Sequence, residues 1–234
     1  MSTSNGDIAG EIIALIPAYN EARFIGDVVE RTLKHIPVVV IDDGSSDATG
    51  AAAALAGAKV LAHVKNQGKG KALLTGFDYA INRRVDAAIT LDADGQHDPD
   101  EIPLFIEAFR AGKGDIIIGQ RQYSQMPTKS RFGNRFGSFL LRFAMGRPIP
   151  DNQSGYRLFS RVAMEKVRPT STRFEAEVEM LLRADFAGLA VGWVPIKTIY
   201  NEKKSHFRPV QDGALFLKMA WRIWRARLRG SFDS

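Results

Sequence analysis

Four short stretches of this chain carry side chains able to do chemistry, and each comes at or after the end of an apolar run. Asp92 and Asp94 stand two residues apart in Leu91-Asp92-Ala93-Asp94-Gly95-Gln96-His97. Two carboxylates so close at the end of a buried strand repel unless a cation lies between them, and hard oxygen ligands suit Mg²⁺ or Mn²⁺. The same residues also read as an acidic turn capping a helix that begins near Asp100. An EF-hand is excluded, because the sixth and twelfth positions counted from Asp92 are His97 and Pro103 rather than Gly and Glu. Asp42-Asp43-Gly44-Ser45 repeats the arrangement, and Pro17-Ala18-Tyr19-Asn20-Glu21 follows the first apolar run. A tyrosine and a carboxylate at neighbouring strand ends can stack on and hydrogen-bond to a nucleobase. Gly68-Lys69-Gly70-Lys71 sets two lysines at a strand-to-helix turn. Such a turn suits an anion, or is simply a solvated charged loop. It is not a Walker A loop, since neither Gly-Lys pair has a glycine five residues earlier or Ser/Thr after it, and Leu73 breaks a GxGxxG pattern.

These stretches need a scaffold that brings strand ends together. From Glu11 to Gly119, short β-branched runs alternate with helical stretches, which predicts parallel strands joined by crossover helices. Strands are expected at Ile12 to Ile16, Val38 to Ile41, Lys59 to Ala62, Ala87 to Leu91 and Asp115 to Ile118. Helices are expected near Ile25 to His35, Ala48 to Ala56, Lys69 to Arg83 and Glu101 to Ala111, with Asp47 as an N-cap. This is a doubly wound sheet, whose ligands bind beyond the carboxyl ends of the strands. The loops after Ile16, Ile41, Ala62 and Leu91 are therefore the place for a site. Beyond Gly119 come a basic, Phe-rich stretch (Arg131 to Arg147), a short strand at Tyr156 to Phe159, a helix near Phe174 to Ala187, a strand near Val191 to Ile199, and a last helix from about Gln211 to Arg229.

The 234 residues, 45% apolar and 25% charged, fit one compact α/β domain (residues 1–212) with an appended C-terminal helix and tail (213–234). With no cysteine, a disulfide framework, a Cys-ligated zinc site and a cysteine nucleophile are excluded. No apolar run approaches the roughly 18 residues of a spanning helix, and the polar start lacks the pattern of a signal peptide. A non-spanning, unexported protein is expected. The net charge of +6 is unevenly spread: residues 1–119 carry 11 basic against 17 acidic side chains, 120–150 carry 6 against 0, and 197–234 carry 9 against 3. An acidic N-terminal half argues against nucleic acid as a partner, whereas phosphate on a small molecule or an anionic membrane surface accounts for the basic blocks. In the last helix Lys218, Arg222, Arg225 and Arg229 share one narrow stripe beside a wide apolar face bearing Trp221 and Trp224. That sidedness suits a membrane interface, or a helix packed on the core with its cations in water.

PAYNE, VVVIDDGSSD, NQGKGKAL and DADGQH, in this order across residues 17 to 97, resemble the family 2 inverting glycosyltransferases of the GT-A fold. IGQR at 118–121, SRFGNRFGSFLLR at 130–142, DNQSGYRLFSR at 151–161, FEAEVEM at 174–180 and TIYNEKKSHF at 198–207 resemble the branch of dolichyl-phosphate mannose synthases and bacterial polyprenyl-phosphate sugar synthases. The resemblance implies that Tyr19 and Asp43 contact the nucleobase, with Pro17 and Glu21 shaping that pocket and Lys69 or Lys71 near the nucleotide. It implies a divalent ion, Mg²⁺ or Mn²⁺, held on the diphosphate by Asp92 and Asp94 with Gln96 beside it. Arg121 and Arg131 match arginines that receive an acceptor phosphate, Arg135 is a neighbouring candidate, and Ser154 lies in the acceptor-loop motif. Mannose synthases of this branch often carry R-x-x-GESK where this chain has Asn201 to Phe207, so the resemblance does not extend to mannose as donor.

The activity implied is a metal-dependent transfer of sugar from a nucleotide diphosphate sugar to a polyprenyl phosphate, at the cytoplasmic face of the membrane. A phosphate acceptor is largely dianionic at pH 7 and needs little help from a base. Were the acceptor a saccharide hydroxyl, Asp151, Glu175 or Glu177 would be the carboxylates to deprotonate it. A non-catalytic nucleotide-sugar or RNA-binding module is the remaining alternative, and the intact aspartate pair speaks against it.

Overall fold

The computed structural model describes residues 11–121, 149–151, 154–171, 175–197 and 199. The expected strands form at β1 (Ile12–Ala18), β2 (Val38–Asp42), β3 (Lys59–Ala62), β4 (Ala87–Thr90), β5 (Ile116–Arg121), β6 (Arg157–Ser160) and β7 (Val191–Ile196). They make one seven-stranded sheet in the order β3-β2-β1-β4-β6-β5-β7. β1 runs parallel to β2 and β4, β2 to β3, and β5 to β7, while β6 is antiparallel to both β4 and β5. The sheet is thus mostly parallel and flanked by helices. Its crossovers are α1 (Ile25–Leu33), α2 (Thr49–Leu55), α3 (Lys69–Asn82) and α4 (Ile102–Arg110), the last preceded by a 3₁₀ turn at Pro99–Glu101. After β6 come α5 (Arg161–Lys166), a short helix that the sequence pattern did not announce, and α6 (Glu175–Phe186). The expected helix at 211–229 lies outside the described residues, as does the basic stretch 131–147.

The two-residue period of a strand explains why β1 is apolar throughout. Ile12, Ala14 and Ile16 pack on one face with Val28 and Val29 of α1 and Phe105 of α4. Ile13 and Leu15 pack on the other with Leu73 and Phe77 of α3 and Leu181 of α6. Both faces are covered, so neither needs polar residues. Each fully buried Leu, Ile or Phe contributes about 1.5–3 kcal/mol, and Phe77 of α3 meets Phe159 of β6 edge-on at 5.1 Å on this second face. The frame is therefore fixed by burial, and the loops at its carboxyl end are left to hold charge.

Candidate active site

The carboxyl ends of β1, β2 and β4 open into a cleft of about 370 Å³ lined by Pro17, Ala18, Tyr19, Glu21, Asp43, Asn66, Lys69, Ala72, Asp92, Ala93 and Asp94. The loops that frame it are bonded to one another. The Asn20 N–H donates to Ser45 Oγ at 3.0 Å and the Ser46 N–H returns a bond to Asn20 Oδ1 at 2.9 Å. The Glu21 N–H donates to Thr49 Oγ1 at 2.8 Å. Asp47, the expected cap, accepts from the Thr49 N–H at 3.0 Å and also reaches the Ala22 N–H at 3.2 Å, although the N-cap position itself is Ala48. Gly44 turns the chain at φ 73°, and a Cβ there would lie 2.5 Å from the Lys65 carbonyl carbon, so only glycine lets these loops close together. Tyr19 stays 47% exposed, its ring available for stacking.

Lys69 and two carboxylates form a linked group within the cleft. Lys69 Nζ lies 2.5 Å from Asp92 Oδ1 and 2.6 Å from Glu177 Oε1, joining the start of α3, the turn after β4 and helix α6. Burial favours a neutral amine, but the adjacent Asp92 and Glu177 carboxylates outweigh it and hold the Lys69 ammonium above the ordinary lysine range. Burial likewise opposes ionisation of Asp92, and the Lys69 ammonium overcomes it, holding the Asp92 carboxyl well below the usual carboxylate range. The Asp92 main chain is pinned as well: its N–H donates to Nδ1 of the buried His97 at 3.1 Å. Burial pushes the His97 imidazole down, in keeping with an Nδ1 that accepts. The ring stacks on Tyr156 at 5.0 Å, and Tyr156 on Phe105 at 4.3 Å. Asp94 Oδ1 accepts from the Gln96 N–H at 3.1 Å, which folds the turn back on itself.

Gly155 passes directly beneath this group. A Cβ there would lie 2.8 and 2.9 Å from the Asp92 carboxylate oxygens and 3.0 Å from Lys69 Nζ. Both neighbours are the ends of flexible side chains, so Gly155→Ala should leave the melting temperature nearly unchanged while displacing the Asp92 carboxylate. A displacement approaching 1 Å at a reacting centre can cost on the order of a hundredfold in rate. Steady-state turnover checks this, and full activity in the variant would show that the Asp92 position is not critical.

At the edge of the site, Arg121 at the end of β5 donates from Nε to Asp151 Oδ2 at 2.7 Å and from Nη2 to Asp151 Oδ1 at 2.9 Å, a two-pronged pair with a fully buried carboxylate. The Arg157 guanidinium, also fully buried, donates to the carbonyls of Ser154 at 2.7 Å and Glu177 at 2.7 Å. Glu179, 2% exposed, accepts from the N–H groups of Thr170 and Ser171 and from Arg183. It thereby holds the loop whose Ser171 carbonyl rests against Gly70 at the start of α3. Burial opposes its ionisation, but these donors prevail and its carboxyl titrates below the ordinary glutamate range. A carboxyl lowered on folding stabilises fully above its unfolded pKa of about 4.3 and ceases to as pH falls through the folded value. The melting temperature of Glu179→Gln should therefore fall less steeply than that of the parent below about pH 4.3. Parallel acid limbs in the two profiles would contradict this.

Of the residues singled out in the sequence, Pro17, Tyr19, Glu21, Asp43, Lys69, Asp92 and Asp94 share the cleft. Lys71 is exposed on the first turn of α3, and among the described residues Lys69 is the lysine that lines the cleft. Gln96 is half-buried on the turn beside Asp94, with its carbonyl taken by the Ile199 N–H at 3.1 Å. Arg121 and Asp151, expected to act separately, bind one another. Ser154 is buried, and among the described residues its hydroxyl has no hydrogen-bond partner. Arg131 and Arg135 lie outside the described residues, and so does the side chain of Glu175. The structure adds His63, His97, Gly155 and Arg157 to the surroundings of the site. Of these, Arg157 left a trace in the sequence, as a charge inside the apolar run Tyr156 to Phe159.

Asp92 and Asp94 fit a divalent ion that takes only part of its coordination from protein. Both offer hard oxygen atoms to the same cleft, and no group of three His, Cys, Asp or Glu positioned for a metal occurs among the described residues. Mg²⁺ is commonly bound in this way, by one or two carboxylates together with substrate phosphates and water.

A parallel sheet with acids at successive strand tips, interrupted by one antiparallel strand, is the architecture of the GT-A glycosyltransferases. The glucosyl-3-phosphoglycerate synthase of Mycobacterium tuberculosis, solved with Mn²⁺, UDP-glucose and phosphoglyceric acid, superposes with a TM-score of 0.71 at 19% identity, over 96% of this chain and 82% of that one. The family model for glycosyl transferase family 2 matches residues 13–168. Among relatives, the UDP-N-acetylglucosamine–dolichyl-phosphate N-acetylglucosaminyltransferase of Methanococcus voltae is 34% identical over 82% of this chain and 86% of its own length. The polyprenol monophosphomannose synthase of Mycolicibacterium smegmatis is 31% identical over 79% and 76%. The chain belongs to glycosyl transferase family 2 and is a glycosyltransferase.

Proposed function

We propose that this enzyme transfers a sugar, with inversion, from a nucleoside diphosphate sugar to a polyprenyl phosphate at the cytoplasmic face of a membrane. The observation that carries the reading is how four carboxylates in and beside the cleft, among the described residues, are used. Asp92 and Glu177 hold Lys69, Asp151 chelates Arg121, and Glu179 binds Arg183 and the 170–171 backbone. A hydroxyl acceptor needs a base within hydrogen-bond reach of its proton, and carboxylates engaged by cations serve poorly. A phosphomonoester, with a second pKa of about 6, arrives already ionised. The names of the two relatives, one a dolichyl-phosphate N-acetylglucosaminyltransferase and the other a polyprenol monophosphomannose synthase, support the same class.

In this reading Tyr19 stacks on the donor base and Asp43 accepts a ring N–H from it. That favours uracil or guanine over cytosine and adenine, whose corresponding ring nitrogens are acceptors. Asp92 and Asp94, with Gln96 beside them, hold a divalent ion, which when bound neutralises charge on the diphosphate. Arg131, with Arg135 beside it, and the Arg121 guanidinium braced by Asp151 receive the acceptor phosphate in bidentate fashion. A phosphate oxygen then attacks the anomeric carbon from the face opposite the diphosphate. The new C–O bond forms as the bond to the leaving oxygen breaks, and the nucleoside diphosphate departs with the electron pair. No proton has to move.

The experiment is incubation of purified protein with Mg²⁺ or Mn²⁺, a panel of nucleotide sugars and undecaprenyl or dolichyl phosphate, reading nucleoside diphosphate release. Release that depends on the lipid phosphate supports the reading, and release that needs a saccharide instead overturns it.

Among the described residues no helix is long and apolar enough to cross a membrane. We assign membrane contact to the basic, Trp-bearing segment 213–234, in which several cations near an anionic surface contribute about 1 kcal/mol each. Cutting the chain after Asp212 should reduce flotation with anionic liposomes and activity on long-chain lipid, and spare activity on a short, water-soluble prenyl phosphate. Equal flotation of both folded proteins would assign the segment to core packing instead.

A further inference from the structure

We propose that His63 is a positioning residue of the donor pocket: by tying Asp43 to α3, it fixes the carboxylate so that one acceptor position remains for a ring N–H of the donor base. This rests on the reading that Asp43 meets the base. Asp43 is 3% exposed yet lines the cleft. Its Oδ1 accepts from His63 Nδ1 at 2.6 Å and from the Gln67 N–H at 3.0 Å, and its Oδ2 accepts from the Gly68 N–H at 2.7 Å. A carboxylate offers about four lone-pair positions. Among the described residues three are filled, and the fourth, on Oδ2, is left for a donor in the cleft.

The histidine is itself held at both ends. Its N–H donates to the Asp42 carbonyl at 2.8 Å, which extends the β2–β3 ladder by one rung. The far ring nitrogen, Nε2, bonds Thr75 Oγ1 at 2.9 Å, and that hydroxyl lies 3.2 Å from the Lys71 carbonyl on the same helix. The His63 and Asp43 side chains are 9% and 4% exposed, so their bond is shielded from water and its geometry is enforced. Without the ring, the Gln67 and Gly68 N–H groups still hold one carboxylate oxygen each, but Oδ1 loses its shortest bond and the carboxylate loses its tie to α3. Thr75 orients the ring, the ring orients the carboxylate, and the carboxylate reads the base.

The test is binding of UDP, CDP, GDP and ADP by calorimetry to the full chain, together with donor KM and kcat. His63→Ala should weaken the preferred nucleotide about tenfold and narrow its preference over the CDP or ADP counterpart. At saturating donor, kcat should stay within about twofold. His63→Asn, whose amide nitrogen replaces Nδ1 as donor to Asp43, should restore most of the affinity. Thr75→Val, a surface-proximal change, should give a smaller loss in the same direction and keeps the test alive if His63→Ala fails to fold. Unchanged affinity and preference in folded variants, a loss confined to kcat, or no recovery with asparagine would overturn the proposal. Asp43→Asn separates the two levels: if it binds nucleotide normally, the base-contact reading fails, whereas loss in Asp43→Asn with none in His63→Ala removes only the role of His63.

Discussion

Replacing either Asp92 or Asp94 by alanine lowers turnover by on the order of a thousandfold, about 4 kcal/mol of barrier, while the protein stays folded. The expectation follows from placement. Both carboxylates line the cleft at the tip of β4, and in the function proposed above their oxygens would hold an ion on the diphosphate. The fold survives because the side chains sit beyond the strand end, where the core of Ile89, Leu91 and Phe105 is untouched. Lys69 also keeps Glu177 as a partner when Asp92 is removed. Circular dichroism and steady-state turnover check both parts. Near-normal activity of either variant, or undiminished activity of the parent in excess chelator, would refute the role given to the pair.

The second large effect is on stability. Asp151 is completely buried and its two oxygens are chelated by Arg121, so the pair fastens residues 121 and 151 together across the basic stretch between them. Asp151→Ala removes two charge-assisted hydrogen bonds from Arg121, whose side chain is 20% exposed, at a cost of about 1.5–3 kcal/mol. The melting temperature should therefore fall by roughly 5 °C, at 2–4 °C per kcal/mol for a domain of this size. Activity on lipid phosphate should fall with it, because the guanidinium loses its brace. A melting temperature within a degree or two of the parent would show that the pair contributes little to the fold.

The scaffold was legible because buried parallel strands impose a pattern that local sequence can display. The runs around Ile13, Val39 and Ile89 are apolar but for Thr90, and helices between them give the period of a crossover. The insertion of β6, antiparallel, between β4 and β5 left no such mark, since the neighbours of a strand are chosen by long-range pairing rather than by its own residues. The acids at strand tips were legible for the same reason as the strands. Their partners were not. Lys69 meets Glu177 across 108 positions and Asp43 meets His63 across 20, and no local period connects such residues. Hence Arg121 and Asp151 read separately as a phosphate receiver and a base, although packing joins them. His97 stood in plain view beside Asp94, but its bond to the Asp92 N–H depends on how tightly the turn closes.

In the proposed reaction the acceptor supplies its own charge. This is tested most directly by comparing a polyprenyl phosphate with the polyprenol of the same chain length, at equal concentration, with the donor found active in the panel and across pH 6–9. Sugar transfer to the phosphate should be at least a hundredfold faster than to the alcohol, with a rate that declines toward low pH as the phosphate gains its second proton near pH 6. Comparable transfer to the alcohol would contradict this, and would mean that a carboxylate of the site acts as a base after all.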